Sequence, residues 1–139
     1  MSGSRAASQS NVRRLHPLRV LVAADDPRFL AVATILLSRA DLVVESTSRL
    51  GDVVALVERG SPHAVILDAT ASVAATARCA AAITRLRPAV KVVVVSDDAA
   101  AGRTSFPTFA KWDSFQAIVA EIESVLGGSG ASYGRASAL

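Results

Sequence analysis

The seven residues AVILDAT at 64–70 constrain this chain most: a short apolar run, preceded by Ser61-Pro62 and followed by small residues, ending in one carboxylate, Asp68. A run this short with no polar alternation fits a strand buried on both faces, as a parallel sheet requires. Asp68 then stands where the strand leaves the core. In open α/β sheets the ligand crevice lies outside the carboxyl ends of the strands, so an acid there is placed for chemistry. Capping the next helix is the other use for it, since Asp is a favoured N-cap.

Similar runs recur along the chain. Residues 18–24 (LRVLVAA) deliver Asp25 and Asp26 to a carboxyl end, and Pro27 follows immediately. Proline at the first helical position after an Asp predicts a helix over 27–40, with Asp26 accepting hydrogen bonds from the free N–H groups of the first turn. That divides the pair: Asp26 caps, and Asp25 is freer to bind. Phe29, Leu30, Ala33, Leu36 and Leu37 give this helix one apolar stripe. A strand at 42–47 precedes a helix over 49–59, whose Leu50, Val53, Val54 and Val57 face inward and whose end is marked by Gly60 and Pro62. After the opening strand comes an Ala-rich helix over 72–87, stopped by Pro88. Residues 90–95 (VKVVVV) are β-branched in five of six places, as suits a central strand, and run into Ser96 and Asp97. The last strand, 108–112 (TFAKW), brings Lys111 near its end. Gly102 and Pro107 leave the crossover before it room for little more than one helical turn. Asp113 and Gln116 have capping-box spacing for a closing helix to 126, with Phe115, Ile118, Val119, Ile122, Val125 and Leu126 on its apolar face.

With 139 residues, 51% of them hydrophobic, the chain can build one domain with its own core. Mean hydropathy is +0.40, yet no apolar run approaches the ~20 residues of a membrane span. The pI of 9.8 hints at nucleic acid. The basicity, however, belongs to the ends: Arg5, Arg13, Arg14 and Arg135 lie outside 18–126, and within that range eleven bases face twelve acids. A basic arm can attract phosphate backbones at long range, but binding of nucleic acid by the domain is not expected. Residues 1–17 are expected to be a disordered basic arm without a targeting segment, and 127–139 a flexible Gly/Ser tail. Cys79 is the only cysteine and cannot close an internal disulfide, which fits a reducing cytoplasm. His16 and His63 have no partners at metal-ligand spacing.

Five strands alternating with helices predict an α/β fold, a doubly wound parallel sheet in three layers. The carboxyl ends of strands one, three, four and five present Asp25, Asp68, Ser96 and Lys111. Paired carboxylates suit a hard cation such as Mg²⁺, which keeps several waters and takes one or two carboxylates plus phosphate oxygens. An Asp beside it can attack a phosphoryl group, while a lysine and a hydroxyl bind the transferred oxygens.

On these residues the chain, over about 18–126, resembles the receiver domain of two-component response regulators, in divergent form. The resemblance implies a flavodoxin-like five-stranded sheet of order 2-1-3-4-5, here with a shortened fourth helix. It also implies Asp68 as phosphoacceptor, with Ser96 as hydroxyl switch and Lys111 as phosphate contact. Mg²⁺ is the implied cofactor, with Asp25, Asp26 and Asp68 as the candidate ligands. The implied partners are a sensor histidine kinase or another phosphodonor, and a downstream protein that responds to the new charge on a stand-alone receiver.

The pattern also departs from the family. Ala24 stands where the first paired acid is usual, so Asp25 is the second acid and Asp26 an extra one. Ala69-Thr70-Ala71-Ser72 replaces a Pro- and Gly-containing loop, Asp97 adds charge beside Ser96, Thr108 occupies the switch-aromatic position, and Trp112 follows Lys111 where proline is usual. A trans bond is expected before Trp112, because a cis bond before a non-proline residue costs roughly 2.5–4 kcal/mol. A pseudo-receiver, docking proteins independently of phosphorylation, is therefore the alternative. No enzyme is expected: there is no Gly-rich phosphate loop, no second Asp two residues after Asp68, and no Ser/His/Asp or Cys/His set.

Overall fold

Valine-rich runs become strands because branched side chains pack well on a pleated sheet with both faces covered. The computed structural model describes residues 17–97, 106–112 and 115–126. Its strands are β1 (Arg19–Ala23), β2 (Val43–Thr47), β3 (Ala64–Asp68), β4 (Lys91–Ser96) and β5 (Thr108–Ala110). They form one sheet of order β2-β1-β3-β4-β5, all pairs parallel. This is the order the resemblance implies. The helices are α1 (Pro27–Arg39), α2 (Val53–Gly60), α3 (Val73–Leu86) and α4 (Phe115–Leu126), with a short 3₁₀ turn at Leu50–Asp52.

Alternation along each strand splits the core into two layers. Val20, Val22, Ile66, Val93 and Val95 face α1 and α4, meeting Phe29, Ala33, Leu37, Ile118 and Ile122. Leu21, Ala23, Val65, Leu67 and Val92 face α2 and α3, meeting Val53, Val57, Ala80 and Ile83. Burying each large side chain of these layers contributes about 1.5–3 kcal/mol. Among the described residues no helix is long and apolar enough to cross a membrane.

The helix ends refine the sequence expectations. Asp26 caps α1 as expected, its Oδ1 accepting N–H bonds from Arg28 and Phe29 at 3.0 and 3.3 Å. The expected helix over 49–59 begins later, because residues 50–52 take the tighter 3₁₀ turn first. Gly60 does not close α2 but remains its last helical residue, and Ser61 takes the left-handed conformation (φ 46°) with its N–H on the Val57 carbonyl. The reason is a long-range tie. The Arg19 guanidinium donates to the Gly60 and Ser61 carbonyls at 3.2 and 2.8 Å, satisfying acceptors that a helix end otherwise leaves open. The short fourth crossover and the Asp113 cap fall largely on 98–105 and 113–114, outside the described residues, as do 1–16 and 127–139.

Candidate functional site

β3 places Asp68 at its last position, beside Val95 of β4, and the Ala69 N–H continues the ladder to the Val95 carbonyl at 2.8 Å. The chain then turns on the acid itself: Asp68 Oδ1 accepts the Thr70 N–H at 2.9 Å. Thr70 Oγ1 in turn accepts the Asp97 N–H at 3.3 Å, which joins the loops after β3 and β4. The Ala-Thr-Ala-Ser segment thus closes without proline or glycine, and Ser72 ends it by capping α3 through the Ala75 N–H at 3.0 Å.

Lys111 approaches from the neighbouring loop. Its N–H donates to the Ser96 carbonyl at 3.0 Å, fixing its backbone at the end of β4. Its Nζ lies 2.8 Å from Asp68 Oδ2 and 3.1 Å from Asp26 Oδ2, with only 3% of the residue exposed. The bond to Asp26 has hydrogen-bond geometry. The approach to Asp68 Oδ2 is a short ion pair, and among the described residues this buried oxygen has no aligned donor. Burial pulls the Lys111 pKa down, but Asp68 and Asp26 together outweigh it and hold the ammonium above its usual range. The Lys111 hydrogen bond, aided by the Arg28 and Phe29 N–H groups, holds the Asp26 carboxyl below its usual value.

Asp25 lies exposed on the other side of Asp68. The two acids line one cavity of about 150 Å³ together with Ala24, Ser48 and Thr76. Ser96, at the end of β4, is buried and enters the site through the carbonyl that holds Lys111. The four strand ends therefore converge, and Asp26, expected as a cap, additionally binds the lysine.

Asp25 and Asp68 line the same cavity, and among the described residues Asp25 has no polar partner and the buried Asp68 Oδ2 none but the Lys111 ammonium. Asp26 has both oxygens engaged, one on the helix and one on Lys111. The set fits a Mg²⁺ held by Asp25 and Asp68 with water completing its shell. No cluster of three or more acidic, His or Cys ligands occurs among the described residues.

Aromatic rings surround the lysine, a feature the sequence pattern did not single out. Phe29, fully buried, meets Trp112 edge to face and stacks with Phe115, each at 5.6 Å between ring centres. Phe29 and Phe115 belonged to ordinary helical stripes, and only Trp112, directly after Lys111, carried a sign of the cluster. The Lys111–Trp112 bond is trans, as expected.

No family model matches the chain, and no curated protein does. Solved structures match well. The response regulator TrrA from Thermotoga maritima, in complex with Mg²⁺-BeF, is 16% identical with a TM-score of 0.69, over 78% of this chain and 99% of that one. A CheY-like response regulator receiver domain protein from Methanospirillum hungatei is 17% identical with a TM-score of 0.60, over 81% and 99%. HP1043, an orphan response regulator of H. pylori, is 21% identical with a TM-score of 0.61, over 78% and 96%. In sheet order, layers and extent, the chain has the response-regulator receiver fold.

Proposed function

We propose that the chain is a receiver in two-component signalling and takes a phosphoryl group on Asp68. The observation that carries this reading is the Asp68–Lys111 pair at 2.8 Å, set at a strand end beside a cavity that Asp25 also lines. An Asp68 carboxylate oxygen attacks the phosphorus of the donor. The new O–P bond forms as the bond to the leaving group breaks, and that group departs with the electron pair. Lys111 then moves its charge from carboxylate to phosphoryl oxygen, offsetting the added negative charge. Ser96 supplies a hydroxyl at the same rim. Mg²⁺, held by Asp25 and Asp68, would neutralise phosphoryl charge when bound. Donor and output partners are proteins, a sensor kinase upstream and a responding protein downstream, and the likeness to TrrA and the other response regulators supports that class of partner.

The test uses the full chain with Mg²⁺ and acetyl phosphate, read by intact mass. One added phosphoryl group is expected in the wild type and none in Asp68→Asn. No adduct in the wild type, or an equal one in the variant, overturns the proposal. A second reading, a docking module that works without phosphorylation, is favoured by Ala24 and by the engagement of Asp26, which leave two carboxylates for a cation. It requires that partner binding be unchanged in Asp68→Asn.

A further inference from the structure

Lys111 is held by more than its carboxylates. Its Nζ lies 5.3 Å from the ring centre of Phe29 and 5.7 Å from that of Trp112. At such distances an ammonium is attracted to the negative face of an aromatic ring. One charge is thus shared between two acids and two rings. The rings differ in freedom: Phe29 is fully buried and stacked with Phe115, whereas Trp112 is 43% exposed.

We propose that Trp112 is a positioning residue for Lys111 and senses the charge of the acid pocket. The inference rests on the proposed roles of Asp68 and Lys111. A phosphoryl group on Asp68 adds negative charge and draws the ammonium toward itself; removing the Asp68 charge releases the ammonium instead. Either change alters how the ammonium sits against the rings. Phe29 is locked by its packing, so Trp112 is the ring that responds. A chemical event at a nearly closed pocket is then expressed at the surface one residue along the chain from the lysine. If Trp112 merely covered Phe29, its surroundings would be indifferent to the charge on Asp68.

Trp112 is the only tryptophan, so its selective emission reports this ring alone. The experiment compares emission from the full-length wild type, Asp68→Asn, Lys111→Met and the double variant, each with its fold verified by circular dichroism. A shift in both single variants is expected, with the double variant matching Lys111→Met because Asp68 acts on the ring only through the lysine. Identical emission in the wild type and folded Asp68→Asn overturns the proposal, whether or not Lys111→Met folds. With Mg²⁺ and acetyl phosphate, wild-type emission should follow the adduct fraction. Adduct without an emission change overturns the inference and leaves the proposed function standing; absence of adduct counts against the proposed function, and the variants alone then decide the inference. In the phosphorylation assay Trp112→Ala should slow adduct formation roughly two- to thirty-fold, with Trp112→Phe restoring most of the rate through its ring face. Equal rates in Trp112→Ala and wild type also overturn the positioning role.

Discussion

β3 and β5 are both short parallel strands that bring a charged residue to the same rim, yet they are anchored by different means. All five residues of β3 are buried, and the strand is hydrogen-bonded on both sides, to β1 and β4. β5 has three half-buried residues and, among the described residues, one partner, β4. Asp68 is therefore held by the core. Lys111 is held mainly by what its own atoms reach: the Ser96 carbonyl, two carboxylates and two rings. The position of Asp68 is a property of the fold, and the lysine's position is a property of the pocket.

The sharpest way to break this contrast is to truncate each strand. Ile66→Ala on β3 should cost about 2–5 kcal/mol in denaturant unfolding, because a fully buried side chain leaves a cavity. Phe109→Ala on β5 should cost clearly less than its ring size suggests, since Phe109 is half-buried; equal costs would show that the edge is as tightly built as the centre. Next in size is Ser72→Ala, which removes the α3 cap after β3 and should cost about 1 kcal/mol by the same measurement. On the β5 side the Lys91–Glu121 pair, 2.7 Å long and partly exposed, ties β4 to α4. Lys91→Met should cost about 0.2–1 kcal/mol, and the difference should shrink in high salt.

The smallest effect lies at the opposite rim. His63 Nδ1 accepts the Arg19 N–H at 2.9 Å, and the His63 N–H returns a bond to the Arg19 carbonyl at 2.9 Å. Burial, then the Arg19 charge, holds the His63 pKa below its usual 6.5. The unfolded chain therefore binds the proton more readily. The contribution to stability is complete above pH 6.5 and is lost as pH falls through the lower folded value. Urea midpoints measured from neutral to mildly acidic pH should decline in the wild type and flatten in His63→Gln.

Much of this arrangement was legible in the sequence because burial writes itself as composition. The apolar runs ending in Asp25, Asp68 and Ser96 mark strands covered on both faces, and Asp26-Pro27 announces the start of α1. The end of α2 was not legible in the same way: Gly60 looked like its terminator, while the deciding contact comes from Arg19, 41 positions earlier. The same holds for Asp26 and Lys111, 85 positions apart. Sequence spacing told which strand ends carry charge; it did not tell which oxygen faces which ammonium, because that depends on how two loops meet across the sheet. Trp112 was visible as a departure, but its contact with Phe29 exists only once the turn after β5 meets the first turn of α1.

Asp26 has a consequence for drift at this position. One oxygen holds the start of a helix and the other holds the lysine. Serine or asparagine, good substitutes at an ordinary helix start, would keep the first task and forfeit the charge that the second requires. Glutamate would keep the charge, but it lies outside the preferred N-cap residues. Where most helix starts are interchangeable among several residue types, this one is narrowed to aspartate by two demands that meet in a single short side chain.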